Sequence, residues 1–421
     1  MTSKKDSSSA AADLQVNMPR LQQEILELAK IGQRPDRGLY RMAFTDEDWE
    51  GREWFAQRIR EAGLRPKQDG AANLGTVLGE EIDEPVLLVG SHLDTVPNAG
   101  HLDGTLGVLL GFEALRRIKE AGLPLKRPLE VISFSDEEGR FGGLFGSQAL
   151  AGDLHPEKIY EARDLNGISL VEAMKRHGLD AIDALDARRD PKSIYRYLEL
   201  HIEQGPVLDM KHKNVGIVEN ITGLFKWSVR LEGVPNHAGT TPMTMRKDPF
   251  LGLSEFAGEI PRILEENGTE LSRATIGKVD LLPGVANTVP GEVVFSLDVR
   301  DPNQSVLDEI AASMRKALSA IARRRDLYFD FEILSLVSPV DCDAQLIQTL
   351  EKEARELDLS YEKMPSGAAH DAQIIAKIAP IGMIFVPSKD GRSHSPAEWT
   401  SWKDIEAGAN LLLRTLLKIL T

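Results

Sequence analysis

Three imidazoles and several carboxylates stand at the ends of apolar runs in this chain, and together they could hold divalent metal and activate water. His92 and Asp94 follow the run Pro85 to Val89, and Asp103 precedes a new helix. The pair Glu137-Glu138 follows Leu129 to Phe134. His201 lies in Tyr197-Leu-Glu-Leu-His-Ile-Glu-Gln-Gly-Pro206, and His394 in Gly391-Arg-Ser-His-Ser-Pro396. Imidazole nitrogen and carboxylate oxygen both suit zinc and neighbouring divalent ions. The donors exceed one tetrahedral site and suit two ions sharing a bridging carboxylate. An acidic pair allows a division of labour, one glutamate binding metal and the other serving as base. Asp94, two residues past His92 on the same side of an extended segment, could accept the ring proton of His92. Taken singly, the same residues have plainer readings: a polar strand-to-helix loop with a satisfied histidine, and a solvated acidic turn.

Such donors need a frame. Leu21, Ile25 and Leu28 recur at helical spacing, and Thr45-Asp-Glu-Asp48 resembles a capping box opening a second helix. Asn73 to Leu78, Val86 to Val89 and Leu129 to Phe134 read as strands, with a helix from Thr105 to about Gly122 between the last two. That alternation predicts a mostly parallel α/β sheet, whose ligand groups gather beyond the carboxyl ends of its strands. Residues from about Gly152 to Arg196 are polar, with helical patches and no clear chemistry. From Val215 to about Leu336 the order becomes β-α-β-β-α-β: a strand over Phe225 to Leu231, a helix from Pro249 to Glu266, strands over Ala274 to Leu282 and Val293 to Val299, a helix over Val306 to Ala322, and a strand from Tyr328 to Leu336. This is the split-βαβ order of ferredoxin-like domains, in an insert of about 120 residues. The expected division is therefore 1–213 and 337–421 in one catalytic domain, with 214–336 inserted and 1–13 a mobile Ser/Ala-rich tail.

Composition narrows the partners. The 421 residues are 42% hydrophobic and 27% charged, as in a soluble protein of two or three domains. With 50 basic against 65 acidic residues the formal charge is -15, which disfavours nucleic acid and acidic membrane surfaces. No apolar run is long enough for a membrane span. A single cysteine, Cys342, excludes an intrachain disulfide framework and fits the cytoplasm.

The ordered motifs GSHLDTV, DG, SDEEG, HIEQGP, NHAGTTPM, NTVPGEV, SGAAHDAQ and SHSPAE carry a resemblance over nearly the whole chain from about Leu14. The sequence resembles the hydantoinase/carbamoylase branch of the dinuclear metallopeptidase-like amidohydrolases, which includes N-carbamoyl-L-amino-acid hydrolases, allantoate amidohydrolases and β-ureidopropionases. The resemblance implies an α/β dinuclear-zinc-peptidase-like catalytic domain with an inserted ferredoxin-like α+β lid and dimerisation domain. It implies His92, Asp103 and His201 around one metal, and Asp103, Glu138 and His394 around the other. Zinc is the first choice for both, with manganese, cobalt or nickel open. It gives Glu137 as general base, His237 as a lid histidine holding substrate and oxyanion and reaching the partner's active site, Asn287 and Arg300 on the substrate carboxylate, and Gln204, Gly367 and His370 in the pocket.

From the residues alone, Arg300 shares a strand side with Ser296 and Asp298, free either to face a cleft or to pair with Asp298 or Asp301. His237 could be an ordinary loop histidine, and His370-Asp371 a helix cap. Two departures stand out: Arg140-Phe141 follows Gly139 without the intervening residue expected there, and Ala369 stands where glycine is expected. The implied reaction is hydrolysis of a ureido C-N bond in an N-carbamoyl-L-amino acid by a homodimer. Allantoate hydrolysis is the nearest alternative; a dipeptidase or aminoacylase and a silent binding protein are more distant ones.

Overall fold

The parallel strands set the frame because their apolar runs bury both faces. A computed structural model describes residues 14–35 and 38–421; the expected tail over 1–13 lies outside the described residues. In the larger sheet the strands run in the order Lys67–Gln68, Leu74–Leu78, Leu129–Phe134, Val86–His92, Ile194–Ile202, Ile381–Val386, Val215–Ile221, Val340–Asp341, with Tyr361–Ser366 also paired to Val215–Ile221. The four central strands are parallel, with His92 opposite Phe134 and His201 opposite Phe385. Leu74–Leu78 and Val215–Ile221 join them antiparallel.

Val86–His92 extends three residues past Val89, so His92 ends a strand rather than opening a loop. The helix Thr105–Glu120 buries 13 of its 16 residues, because it lies between the sheet and the C-terminal helix Trp402–Leu420; Leu106, Leu110, Leu198, Leu200, Ala409 and Leu413 share that core. Met18–Leu28 and Asp46–Glu61 are helices as their spacing suggests. Only half of the capping box forms: Thr45 accepts from the Asp48 amide, while the Asp48 carboxylate takes the amide of Phe44. The stretch without clear chemistry folds in part as short helices over Pro156–Glu161 and Leu170–Arg176. With the preceding helix Phe145–Ala151 they close a second apolar core around Phe44, Phe141, Phe145 and Met174.

By its contacts the chain forms two compact units. One runs to Glu219 and resumes over Asp341–Ser366 and His370–Thr421; the other is Asn220–Val340 with Gly367–Ala369. The first crossing falls later than residue 213 because Val215–Ile221 still pairs with the larger sheet. The second unit is an antiparallel sheet in the order Val279–Leu282, Glu292–Asp301, Gly223–Glu232, Tyr328–Val337, joined by helices Pro249–Asn267 and Gln304–Arg325. Its topology is the split-βαβ one. Phe225, Trp227, Val229 and Leu231 alternate with Phe295, Leu297 and Val299 to make its core. The strand expected over Ala274 to Leu282 is broken into Arg273–Thr275 and Val279–Leu282, because the Ser296 hydroxyl takes the Lys278 amide in place of a ladder bond. Leu307 rather than Val306 is buried on the second helix.

Close approach fixes one glycine of the site-bearing helix. A Cβ on Gly107 would lie 2.2 Å from the Leu200 carbonyl oxygen and 2.9 Å from Ser91 Cβ. Backbone cannot yield there as a flexible side chain would, so Gly107→Ala should lose about 1–3 kcal/mol of stability. Urea denaturation measures it, and an unchanged midpoint would contradict this packing.

Candidate metal centre

The carboxyl ends of the four parallel strands bring the donors together. His92 and His201 lie at the ends of Val86–His92 and Ile194–Ile202, Glu137 and Glu138 follow Leu129–Phe134, and His394 follows Ile381–Val386. Asp103 stands before the helix, on a turn whose Gly104 has φ 62°; a Cβ on Gly104 would lie 2.3 Å from the His92 ring. Only glycine meets both demands.

Each ring is oriented from behind. His92 Nδ1 donates to the Asp94 carbonyl at 2.9 Å and His201 Nδ1 to the Ile202 carbonyl at 2.9 Å. A carbonyl can only accept, so both Nε2 atoms carry lone pairs in the neutral rings. His201 Nε2 also accepts the Gly104 amide at 3.2 Å. These lone pairs face oxygen: His201 Nε2 is 3.1 Å from Asp103 Oδ1, and His92 Nε2 is 3.8 Å from the same atom and 3.5 Å from Glu137 Oε2. Half-exposed His394 places Nε2 3.4 Å from Glu138 Oε2 and 3.5 Å from Asp103 Oδ2. Two donor groups thus form, His92–Asp103–His201 and Asp103–Glu138–His394, sharing Asp103. Asp103 Oδ1 and Glu138 Oε1 are buried and accept no hydrogen bond. Acceptors converging on acceptors fit divalent cations.

The buried charges perturb one another. Burial raises the Glu137 carboxyl well above its usual value, with Glu138 and Asp371 adding to it, and burial with Asp103 does the same to Glu138. Burial, then Asp48, lifts Asp94 to about 7. Burial would lower His201, but Asp103 outweighs it and raises the ring to about 9. His92, pulled down first by burial and also by His201, falls to about 4 although Asp103 opposes. Asp103 itself stays well below the carboxylate range despite burial, held there by His201 and His92.

Other expected residues are placed differently. The Asp94 carboxylate does not take the His92 proton; its Oδ1 is 3.9 Å from Nδ1. The chain turns at the strand end, so the Asp94 carbonyl points back to the ring, and its side chain accepts the amides of Glu137 and Glu138 at 3.3 and 3.2 Å. Gln204 donates its side-chain amide to Asp103 Oδ2 at 2.7 Å. His370 heads a short helix without capping it through its side chain; it bonds Ser366 Oγ at 2.8 Å and meets the His201 ring edge-on at 4.6 Å. Glu199, His201 and His370 also lie close enough to hold an ion. The Glu199 oxygens, however, are taken by Ser91, Tyr197 and the Ala372 amide. The short loop after Glu138 is accommodated by positive φ at Gly139, Gly142 and Gly143, with Arg140 bonded to Asp164 and the Ala43 carbonyl.

His237, Asn287, Arg300 and Gly367 belong to the second unit. A two-residue ladder pairs His237 with Thr288, and the Ala238 amide donates to the Asn287 carbonyl at 2.9 Å, which brings His237 and Asn287 together. His237 Nδ1 accepts the amides of Gly239 and Thr240 at 3.1 and 3.2 Å, leaving the proton on an exposed Nε2. Arg300 realises the ordinary pairing: Nε donates to Asp298 Oδ1 at 2.9 Å, while Nη1 reaches the Gly367 carbonyl at 2.9 Å. Glu199 and Arg41 are among the groups that escaped the sequence reading. Buried Glu199 left no motif signal. Arg41, fully buried, donates to the carbonyls of Leu93 and Leu28 and to Thr105 Oγ1, tying the segments after His92 and after Asp103; nothing in its neighbourhood of the sequence marks it.

A profile of peptidase family M20/M25/M40 matches residues 88–418. The chain belongs to that family. Among M20 relatives it is 42% identical over 401 residues to an N-carbamoyl-L-amino acid amidohydrolase of Geobacillus stearothermophilus, covering 94% of this chain and 97% of that one. It is 37% identical over 395 residues to an allantoate amidohydrolase of Bacillus subtilis, covering 93% and 95%. The crystal structure of an amidase of the hydantoinase/carbamoylase family from Burkholderia multivorans superposes with a TM-score of 0.87 at 33% identity, covering 96% of this chain and 98% of that one. The chain is thus an amidohydrolase of the M20 family with donors suited to divalent metal. Among the described residues no helix is long and apolar enough to cross a membrane.

Ion-free protein should betray the crowding. A carboxyl raised by the fold favours folding only while protonated, so Asp94 costs stability progressively from its unfolded value of 3.8 through about 7. Glu137 and Glu138 act in the same direction. His201, raised to about 9, contributes stability below 6.5 that is lost as pH climbs through 9. The lowered His92 opposes only between about 4 and 6.5. Chelator-treated protein should therefore melt lower at about pH 8.5 than at about pH 6.5, and saturating zinc or manganese should remove most of the difference. A melting temperature that rises over that interval without metal would contradict the charge arrangement.

Proposed function

We propose that the protein hydrolyses the ureido C-N bond of N-carbamoyl-L-amino acids, giving the amino acid, ammonia and carbon dioxide. The observation that carries this reading is the pair of donor groups joined at Asp103 with Glu137 beside them. It is supported by relatives named for that reaction. Two divalent ions, zinc first by ligand type, would supply an ionised water and polarise the ureido carbonyl. His92, Asp103 and His201 would hold one ion, and Asp103, Glu138 and His394 the other.

Glu137 takes the proton of the attacking water and passes it to the leaving amino nitrogen. Attack at the carbamoyl carbon breaks its bond to that nitrogen, and the carbamate released decomposes to ammonia and carbon dioxide. His237, with its proton on Nε2, offers a donor for the oxyanion that develops. Arg300 exchanges Asp298 for the substrate carboxylate, a bidentate partner of the same shape, with Asn287 beside it. Gln204, Gly367 and His370 would be further substrate-binding residues in this reading, Gln204 acting through Asp103. The second unit works as the lid.

Assembly as a homodimer through the second unit is part of the same reading. Its edge strand Tyr328–Val337 is paired on one side only and exposes Ile333, Leu334 and Leu336, an edge that a second copy would cover. A reducing cytoplasm suits the single buried Cys342. Allantoate is the second reading, favoured by the relatives that act on it.

Ammonia release from a panel of N-carbamoyl-L-amino acids and allantoate, with zinc, manganese, cobalt or nickel added, tests the reaction. No ammonia from any of these would end the proposal. Glu137→Gln should keep its metal and lose about 10²–10⁴-fold in kcat. Arg300→Ala should raise KM roughly 10- to 100-fold for carboxylate substrates with a smaller effect on kcat. Full turnover in the first variant, or an unchanged KM in the second, would remove the role given to that residue.

A further inference from the structure

Asp103 serves both donor groups, so its placement decides whether two ions can share it. The turn after His394 helps to hold it. Glu398 is 3% exposed and folds back beneath His394 through its amide bond to the Ser395 carbonyl at 3.0 Å. Its Oε1 accepts two consecutive amides of the Asp103 loop, Leu102 at 2.7 Å and Asp103 at 3.1 Å. Its Oε2 lies 3.3 Å from Ser393 Oγ, and that hydroxyl donates to Asp103 Oδ2 at 2.5 Å. One side chain thus grips the Asp103 backbone directly and lies against the Ser393 hydroxyl that serves the Asp103 carboxylate.

The loop is shaped to admit the grip. A Cβ on Gly100 would lie 2.3 Å from Glu398 Cδ and Oε1, so only glycine lets the carboxylate press against that backbone. Glu398 also belongs to the turn that carries His394, whose φ is 51°. Its bonds therefore couple the placement of a donor to one ion, His394, with that of the donor common to both. Gln204 and Ser393 reach Asp103 only at its carboxylate oxygen Oδ2, whereas Glu398 holds the backbone of the Asp103 loop.

We infer that Glu398 is a positioning residue of the metal centre, clamping the Asp103 loop to the His394 turn so that one carboxylate can face both ion sites. This rests on the donor groups binding divalent ions as proposed above. The role is geometric: it needs an oxygen at the reach of a glutamate, which glutamine also provides and aspartate, one methylene shorter, does not.

Zinc binding to the purified ion-free full chain, measured by competition with a chromogenic chelator, separates the possibilities without any turnover assay. Glu398→Asp and Glu398→Ala should weaken zinc binding about 10- to 100-fold, while Glu398→Gln should stay within about threefold of the parent. Circular dichroism of each ion-free variant reports whether it is folded, and if the alanine variant is not, the aspartate and glutamine variants decide between them. Parent-like zinc binding by the aspartate variant would overturn the inference, as would a glutamine variant as weak as the aspartate one, which would make the charge and not the reach the requirement. A parent chain that binds no zinc, manganese or cobalt would instead sink the metal centre itself.

Discussion

Asp103 is the point on which the structure turns. Two imidazole lone pairs and the oxygens of neighbouring glutamates are aimed at or beside a single buried carboxylate, an arrangement that repels itself in the absence of positive charge. Protons relieve it partly, which is why His201 is driven up and Glu137 and Glu138 hold theirs so firmly. Divalent ions would relieve it further, because each would bring two positive charges to the place where the acceptors converge. The fold therefore maintains a charge defect, and the chemistry follows from what fills it.

Maintaining that defect demands rigidity from elements that are themselves apolar. The four parallel strands end on one edge of the sheet, so residues remote in sequence arrive within a few ångströms. The helix after Asp103 is almost entirely buried, and glycines at 104 and 107 let it come against His92 and the Leu200 carbonyl. Arg41 then binds the segments after His92 and Asp103 from beneath through neutral carbonyl and hydroxyl partners. A buried guanidinium without a direct carboxylate partner is costly; here burial lowers its pKa to about 10 while the charges of Asp48 and Asp94 oppose the fall.

The second unit solves a different problem with a different sheet. Its alternating strands keep one face apolar against two helices and leave the other to Ser296, Asp298 and Arg300. His237 is held by backbone amides in a tautomer that presents a proton, the complement of the tautomer imposed on His92 and His201. Carbonyls behind the ring leave a lone pair facing outward, and amides behind the ring leave a donor.

The amino-acid sequence determined by itself the donor types, the order of the elements and the inserted β-α-β-β-α-β unit, because hydrophobic period and ligand chemistry are local properties. It also showed that the candidate donors follow strands, although not that His92 ends one. Only the tertiary structure decided which atom of each residue serves. Asp94 acts through its carbonyl on His92 and through its carboxylate on the glutamate backbone, Gln204 turns to Asp103, and Arg300 rests on Asp298. Glu199, Arg41 and Glu398 gained their places largely from remote partners: Arg41 from Leu93 and Thr105, Glu199 from Ser91 and Ala372, and Glu398 from amides 295 and 296 residues away. Such contacts have no period and no spacing: they exist because folding removes water, and a buried charge or amide must then find whatever partner the packed chain brings within reach.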